Sequence, residues 1–429
     1  MQILFAGFPI TPYYRDFVNR LQTQGDVRVI NVRSAGDEKH VGAGVKLVDS
    51  QIEFRDVKLR DRCVSPRRLL KLSDFELSPG YDSFVALDDL IREISPDVIV
   101  VNEPYHAAFA FDRAIVAAVR QTKSKTVFQS IPFQLSTFQE ALAAVQVPPI
   151  LPMRSIPSPL RVLAQTLGID KLYLKLVRKK SLFRRVHFLR KTFHAADAHA
   201  VYYEGGIETY GSYGVPAERI RVVRNSPNTE ELLQAADRHP SCDHGYRLIH
   251  VGRLVKWKRV DLLIRAVATL RSHGFANTDL VIVGNGPCEE SLRAMAAEFN
   301  VEDAVHFRGG VYEADQLAQE FAASSIYVLA GMGGLSLNEA MCFSVPVVCC
   351  RCDGTEKFLI REGVNGMYFR EGDEANLVDT LQTLFSDSAL RKRMGHESRR
   401  IIEEELNTQI HVLNYLRLFN DLNSKCLNT

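Results

Sequence analysis

The chain has 429 residues, 46% hydrophobic and 24% charged, and its Lys and Arg exceed its Asp and Glu by two. That length is past what one hydrophobic core ordinarily serves, so two domains are expected. The composition excludes a disordered or collagen-like chain, the charge balance gives no reason to expect a nucleic-acid partner, and no apolar run approaches the roughly 18–20 residues that span a bilayer.

From the amino terminus, Met1-Gln2-Ile3-Leu4-Phe5-Ala6-Gly7 has no basic segment ahead of its apolar run, and it reads as a first strand rather than a secretory leader. Strands are predicted over 2–6, 27–32, 98–102, 126–128 and 198–203, then over 247–251, 280–283, 305–307, 326–330 and 345–350. Helical patterns fall between the later ones, over 261–273, 289–299 and 315–323; in the first, Leu263, Ala266 and Leu270 share a face. Such alternation builds parallel sheets covered by helices on both faces. The fold class is therefore α/β, with two doubly wound, Rossmann-like domains. The stretch 228–246 reads as the boundary, dividing an amino-terminal domain at 1–230 from a second at 246–400. A helical tail follows at 401–429. The eight cysteines show no paired zinc spacing and read as reduced thiols of a cytoplasmic protein.

One segment stands apart electrostatically. Residues 151–195 carry eleven Lys and Arg against Asp170 alone, with Leu182, Val186, Leu189 and Phe193 at helical spacing. A second basic patch runs through Arg55, Lys58, Arg60, Arg62, Arg67, Arg68 and Lys71. A basic amphipathic stretch can rest on an anionic membrane surface, and it can equally be a solvated face whose apolar stripe packs on its own domain. Both readings stay open at this stage.

Chemistry concentrates at three strand ends of the second half. Val251-Gly252-Arg253-Leu254 leads to Lys256-Trp257-Lys258-Arg259. Val283-Gly284-Asn285-Gly286-Pro287 precedes Glu289, and Gly331-Met332-Gly333-Gly334-Leu335-Ser336 precedes Leu337-Asn338-Glu339. In an open parallel sheet, ligands sit outside the carboxyl ends of the strands. Glycines there let backbone N–H groups approach an anion, and Arg253 and Lys258 add full charges suited to a diphosphate. Gly284-x-Gly286 alone fits a ligand-free turn equally well, and each cation alone fits a solvated surface; it is the joint occurrence that points to a site.

Together these segments resemble glycosyltransferase family 4, retaining enzymes of the GT-B fold. The resemblance is carried by Val251 to Ala266, Val281 to Pro287, Gly334 to Met341, Asp353-Gly354-Thr355-Glu356 and Glu362-Gly363-Val364-Asn365-Gly366. In the first half it rests on His194 to Ala198, Tyr213-Gly214-Val215-Pro216 and Arg221 to Asn225. It implies two domains facing a cleft, and transfer of a sugar from a nucleoside diphosphate to a hydroxyl of a glycan or lipid-linked glycan. Arg253 and Lys258 would bind the diphosphate and Glu339 the ribose hydroxyls. Gly252, Gly286, Arg308, Gly333, Gly334, Leu335 and Ser336 would line the donor site. No Asp-x-Asp occurs in the chain, which fits side-chain cations in place of a metal, with no cofactor beyond the donor itself.

One position departs from the resemblance. The family pattern places two acids eight residues apart; Glu339 is the second, and position 331, where the first would stand, is glycine. That motivates a rival reading, a non-catalytic relative that binds sugar nucleotide or glycan as a partner subunit. An epimerase or phosphorylase on the same fold is a further rival. On the acceptor side, Asn102-Glu103-Pro104-Tyr105-His106 directly follows a predicted strand, so Glu103 could hold an acceptor hydroxyl and His106 could orient one. The same pair also fits a capping carboxylate and a satisfied loop histidine. The Tyr13-Tyr14 pair would shape the acceptor mouth. The expected location is cytoplasmic, with peripheral contact at the inner face of the membrane through the basic segment.

Overall fold

The structure, a computed structural model, describes residues 1–36, 47–64, 81–130, 136–143, 186–241, 245–352 and 354–424. Most of the basic segment, through residue 185, lies outside the described residues, as do Arg67, Arg68, Lys71 and Asp353.

Fifteen strands appear among the described residues. In the first half they are β1 (Gln2–Ala6), β2 (Arg28–Ser34), β3 (Arg55–Leu59), β4 (Asp61–Val64), β5 (Tyr81–Phe84), β6 (Val98–Asn102), β7 (Lys125–Ser130), β8 (Ala198–Val201) and β9 (Ile220–Val222). Seven of these form a wholly parallel sheet in the order β3-β2-β1-β6-β7-β8-β9, while β4 and β5 pair antiparallel beside it. The second half supplies β10 (Arg247–Val251), β11 (Asp279–Val283), β12 (Val305–Gly309), β13 (Ile326–Leu329), β14 (Val347–Cys350) and β15 (Gly366–Phe369). They form a parallel sheet in the order β12-β11-β10-β13-β14-β15.

Alternation along each strand explains why both faces are covered. Ile3 and Phe5 of β1 enter one core with Val98 and Val100, while Leu4 and Ala6 enter the opposite one with Ile99 and Val101. In the second sheet, Leu248, Ile282 and Val328 face one side, and Ile249, Val281 and Tyr327 the other. Each such side chain, once fully buried, contributes about 1.5–3 kcal/mol.

The chain crosses between the sheets twice. The stretch expected to be a plain boundary contains a helix, Thr229–Arg238, whose Leu232, Ala235 and Ala236 pack on the second sheet. The tail returns the other way. Its last helix, Thr408–Ser424, buries Val412, Tyr415, Leu418 and Phe419 in the core of the first sheet. The two crossings clasp each other. Thr408 Oγ1 accepts from the Thr229 N–H at 3.0 Å and donates to Pro227 O at 2.7 Å, while the Thr408 N–H donates to Thr229 Oγ1 at 3.0 Å.

Candidate active site at the end of the second sheet

In the second sheet the strand order reverses at β10, whose neighbours are β11 on one side and β13 on the other. The loops leaving β10 and β13 therefore part from each other, and the gap between them is where a parallel sheet offers a ligand site. The three glycine-bearing segments meet at this edge. The Gly252 N–H donates to Val283 O at 2.9 Å and the Leu254 N–H to Asn285 O at 2.9 Å, so the loops after β10 and β11 run side by side. A Cβ at Gly286 would stand 2.4 Å from Leu254 O, which is why only glycine lets them pack so closely.

Past Leu254 the chain makes one tight turn, Lys256–Lys258, and enters the helix Val260–Ser272. That turn puts Lys258 inside: its side chain is 7% exposed, and its ammonium donates to Met332 O at 2.8 Å and Gly333 O at 2.6 Å. A Cβ at Gly334 would lie 3.3 Å from the same nitrogen. Glu339, in the first turn of the helix Ser336–Cys342, lies close enough to Lys258 to feel its charge. Burial pushes the Glu339 carboxyl up to about 7, and Lys258 partly offsets that rise. The residues expected to grip a diphosphate and a ribose are thus brought together across the switch point. Arg253 occupies the outer side of the same loop, its guanidinium 5.8 Å from the Trp257 ring centroid.

A buried polar layer supports this surface. Tyr327 OH donates to Ser336 Oγ at 2.7 Å, so the Ser336 hydroxyl is turned into the domain rather than toward a ligand. His250 donates from Nδ1 to Val328 O at 3.0 Å, which leaves Nε2 as an acceptor with no partner among the described residues. That nitrogen lies 3.4 Å from where a Gly252 Cβ would stand, directly under the loop. Burial holds His250 down at about 4, so it is neutral. The side chain of Arg308, a residue expected to line the donor site, pairs with Glu320 at 3.1 Å.

Gly331 has a steric reason to be glycine. A Cβ there would stand 2.0 Å from Trp257 O and 2.9 Å from the carbonyl carbons of Trp257 and Lys258. The Met332 N–H donates to that same Trp257 oxygen at 2.9 Å. The close approach seats the 331–334 segment on the 256–258 turn and delivers its carbonyls to Lys258.

The first sheet presents a second wall. Tyr13 and Tyr14 open the helix Pro12–Gln24, whose Thr11 cap accepts from the Tyr14 N–H at 3.4 Å. One helical step separates the two rings. Tyr14 is buried with its hydroxyl on Asn31, whereas Tyr13 is 42% exposed and lies in the electrostatic field of Arg253 of the second domain. Local burial raises the Tyr13 hydroxyl, and Thr11 and Arg253 pull it back. Glu103 follows β6 with part of its surface exposed, while the atoms crowded around its carboxyl desolvate it and push it up to about 7; Tyr202 and Tyr210 lie in its field. His106 does not join them. Its ring stacks on Phe128 at 4.5 Å and Nε2 faces the carbonyls of Val101 and Gln129, each at 2.9 Å, so the expected acceptor role is corrected to a buried structural one. Sequence reasoning passed over His250, Tyr202 and Trp257. The inward-facing register of β10 was the available signal for the first, and its status as the only tryptophan for the last.

The two facing parallel sheets with this site at the edge of the second define a GT-B fold. Residues 236–401 match the family model described as "Glycosyl transferases group 1". The chain is 29% identical over 180 residues to an uncharacterized glycosyltransferase of Methanocaldococcus jannaschii, covering 41% of this chain and 45% of that protein. It is 30% identical over 186 residues to a GDP-mannose-dependent phosphatidylinositol monomannoside mannosyltransferase of Mycolicibacterium smegmatis, covering 41% and 48%. The chain thus spans about half the length of these curated relatives. Among solved structures, HepE of Anabaena in complex with UDP superposes with a TM-score of 0.64 at 15% identity, over 98% of this chain and all of that one.

Proposed function

We propose that this chain is a retaining, metal-independent glycosyltransferase that moves a sugar from a nucleoside diphosphate to a hydroxyl of a glycan, with the acceptor carried on a membrane lipid. The observation that carries the reading is the placement of Lys258, its ammonium enclosed by the 331–334 segment, beside Glu339 at the switch point of the second sheet. Departure of a nucleoside diphosphate puts negative charge on phosphate oxygens. A cation already held in place and shielded from water stabilises that charge with little reorganisation. The group 1 match over this same stretch, and the UDP bound by a protein of the same fold, support the donor class. Glu103 and Tyr13 on the opposite wall are the acceptor-side groups.

The test is donor turnover across a panel of UDP- and GDP-sugars, with nucleotide release and sugar transfer measured separately. Turnover that disappears in Glu339→Ala and in Lys258→Ala supports the reading. Nucleotide binding without turnover against any donor favours the rival partner subunit, for which the missing side chain at 331 is the motive. The lipid-linked part rests on the basic segment, and among the described residues no helix is long and apolar enough to cross a membrane. A position at the cytoplasmic face of the membrane requires the protein to sediment with anionic vesicles and not with neutral ones at low salt. Equal recovery in both supernatants counts against it.

A further inference from the structure

Trp257 has no part in the donor site as described, and its setting is unusual. It is the only tryptophan of the chain, and its indole is 48% exposed although its backbone is pinned. The Trp257 carbonyl accepts from Met332, and the next residue is the enclosed Lys258. An indole face held open on a pinned backbone beside a guanidinium can take a ring-shaped ligand of mixed apolar and hydroxyl character. Arg253 stands 5.8 Å from its centroid, and the half-exposed Tyr13 of the first domain lies in the electrostatic field of Arg253. The loop after β10 therefore carries an exposed indole with a guanidinium beside it.

We infer that Trp257 stacks a pyranose ring of the acceptor glycan beside the transfer point, and this rests on the donor reading of Lys258 and Glu339. One face of a pyranose is a patch of C–H bonds polarised by neighbouring oxygens, and the negative face of an indole complements it while apolar area is buried on both sides. Hydroxyls at the rim of such a sugar meet Arg253. A nucleobase is the poorer occupant. The other exposed aromatic of this edge, Tyr312, follows β12, two strands and about 10 Å from β10. The indole instead adjoins the lysine that would hold the phosphate, where the sugar is passed on.

A single tryptophan makes the test direct, because all indole fluorescence of the full chain reports this ring. Cellobiose, lactose and chitobiose are titrated, each alone and with saturating UDP or GDP, and calorimetry follows nucleotide binding in parallel. The inference expects saturable emission changes with at least one disaccharide and none with nucleoside diphosphate alone. It also expects Trp257→Ala to raise the acceptor KM roughly tenfold or more, with a clearly smaller change in donor KM because Arg253 loses only its neighbouring ring. Trp257→Phe, which keeps an aromatic face, stays within a few-fold of the wild type and guards against a folding artefact. An emission shift with nucleotide or with anionic vesicles but with no sugar overturns it, as does silence toward all three disaccharides at about 100 mM or a Trp257→Ala defect confined to the donor. If neither nucleotide binds, the donor reading itself has failed, and this inference with it. Nucleotide binding with an indole indifferent to sugars overturns the inference alone.

Discussion

Replacing Gly331 by alanine tests the geometry of the proposed donor site most sharply, because the three nearest atoms the new methyl would meet are all backbone. The Cβ would stand 2.0 Å from Trp257 O, and backbone cannot swing aside as a side chain can. A carbon–oxygen contact relaxes only beyond roughly 3.2 Å, so the 331–334 segment must lift by about 1 Å. The 2.9 Å bond from Met332 N to Trp257 O then opens to about 4 Å, past hydrogen-bonding range. The lost bond and the groups left unpaired cost about 1–3 kcal/mol, and residual overpacking adds about 1–3 kcal/mol. The total of about 2–6 kcal/mol, at about 2–4 °C per kcal/mol for a unit of this size, should lower the Tm of the second domain by about 4–24 °C. The same lift draws Met332 O and Gly333 O away from Lys258, so donor turnover should fall along with stability. Gly331→Glu, which restores the acid of the family pattern, has the same collision with a longer side chain and should fare no better. Thermal unfolding by circular dichroism, together with donor turnover, reads both effects. A Gly331→Glu protein with unchanged Tm and raised activity would refute the reasoning.

Other expectations concern charge, acidity and the clasp. Lys258→Ala should lower donor kcat by roughly 10–100-fold, and Arg253→Ala should act mainly on KM; equal effects on both constants in both variants would show that the two cations share one role. Burial holds His106 and His411 down at about 3 and His199 and His250 at about 4, so the stability they contribute is present above 6.5 and is lost as pH falls toward those values. Glu103 and Glu339, pushed up to about 7, run the other way, because the folded chain keeps protons that the unfolded chain releases between about 4.5 and 7. With four groups opposing two, the urea midpoint should fall from pH 7 to pH 5, and more steeply in Glu339→Gln; a midpoint that rises on acidification refutes this. Thr408→Val removes a buried hydroxyl that bonds both Thr229 N and Pro227 O, and should cost about 2 kcal/mol in denaturant unfolding, where a loss below about 0.5 kcal/mol would mean the clasp is dispensable.

What could be read in advance follows from where each segment sits. The central strands β1, β6, β11 and β13 are buried on both faces, so their inner positions are apolar runs that stand out without a structure, and in β10 His250 alone interrupts one. The overlooked β3, β9 and β15 lie at sheet edges, where Arg55-Asp56-Val57-Lys58-Leu59 carries the charges that keep an open edge soluble. In the helix Thr229–Arg238, Leu232, Ala235 and Ala236 already showed helical spacing, but the surrounding acids disguised it as a linker. The proposed donor side stands out in the sequence because phosphate chemistry needs glycines and cations at strand ends. The acceptor side does not. A histidine just past a strand shows by type alone neither a ring in the cleft nor a ring turned onto Phe128, and adjacent tyrosines on a helix point about 100° apart, so at most one can face a ligand.

The contrast expected between Lys258 and Arg253 rests on their surroundings. The Lys258 ammonium has already left water for two carbonyl dipoles at 2.6 and 2.8 Å, so its desolvation was met when the chain folded. An incoming phosphate competes with those carbonyls, and ground-state binding gains little from the exchange. In the proposed transfer, charge builds on the phosphate as the sugar leaves while the carbonyl dipoles stay fixed, so the lysine's contribution would grow along the reaction coordinate and appear in kcat. Arg253 stands beside the Trp257 ring at the open side of the loop, where it would meet the arriving donor before any charge has developed. Its attraction is then nearly the same for bound substrate and transition state, which is binding that sets KM. On the proposed reading, a loop that seats on the 256–258 turn only because position 331 carries no side chain is what would turn one of two neighbouring cations from a binding group into a catalytic one.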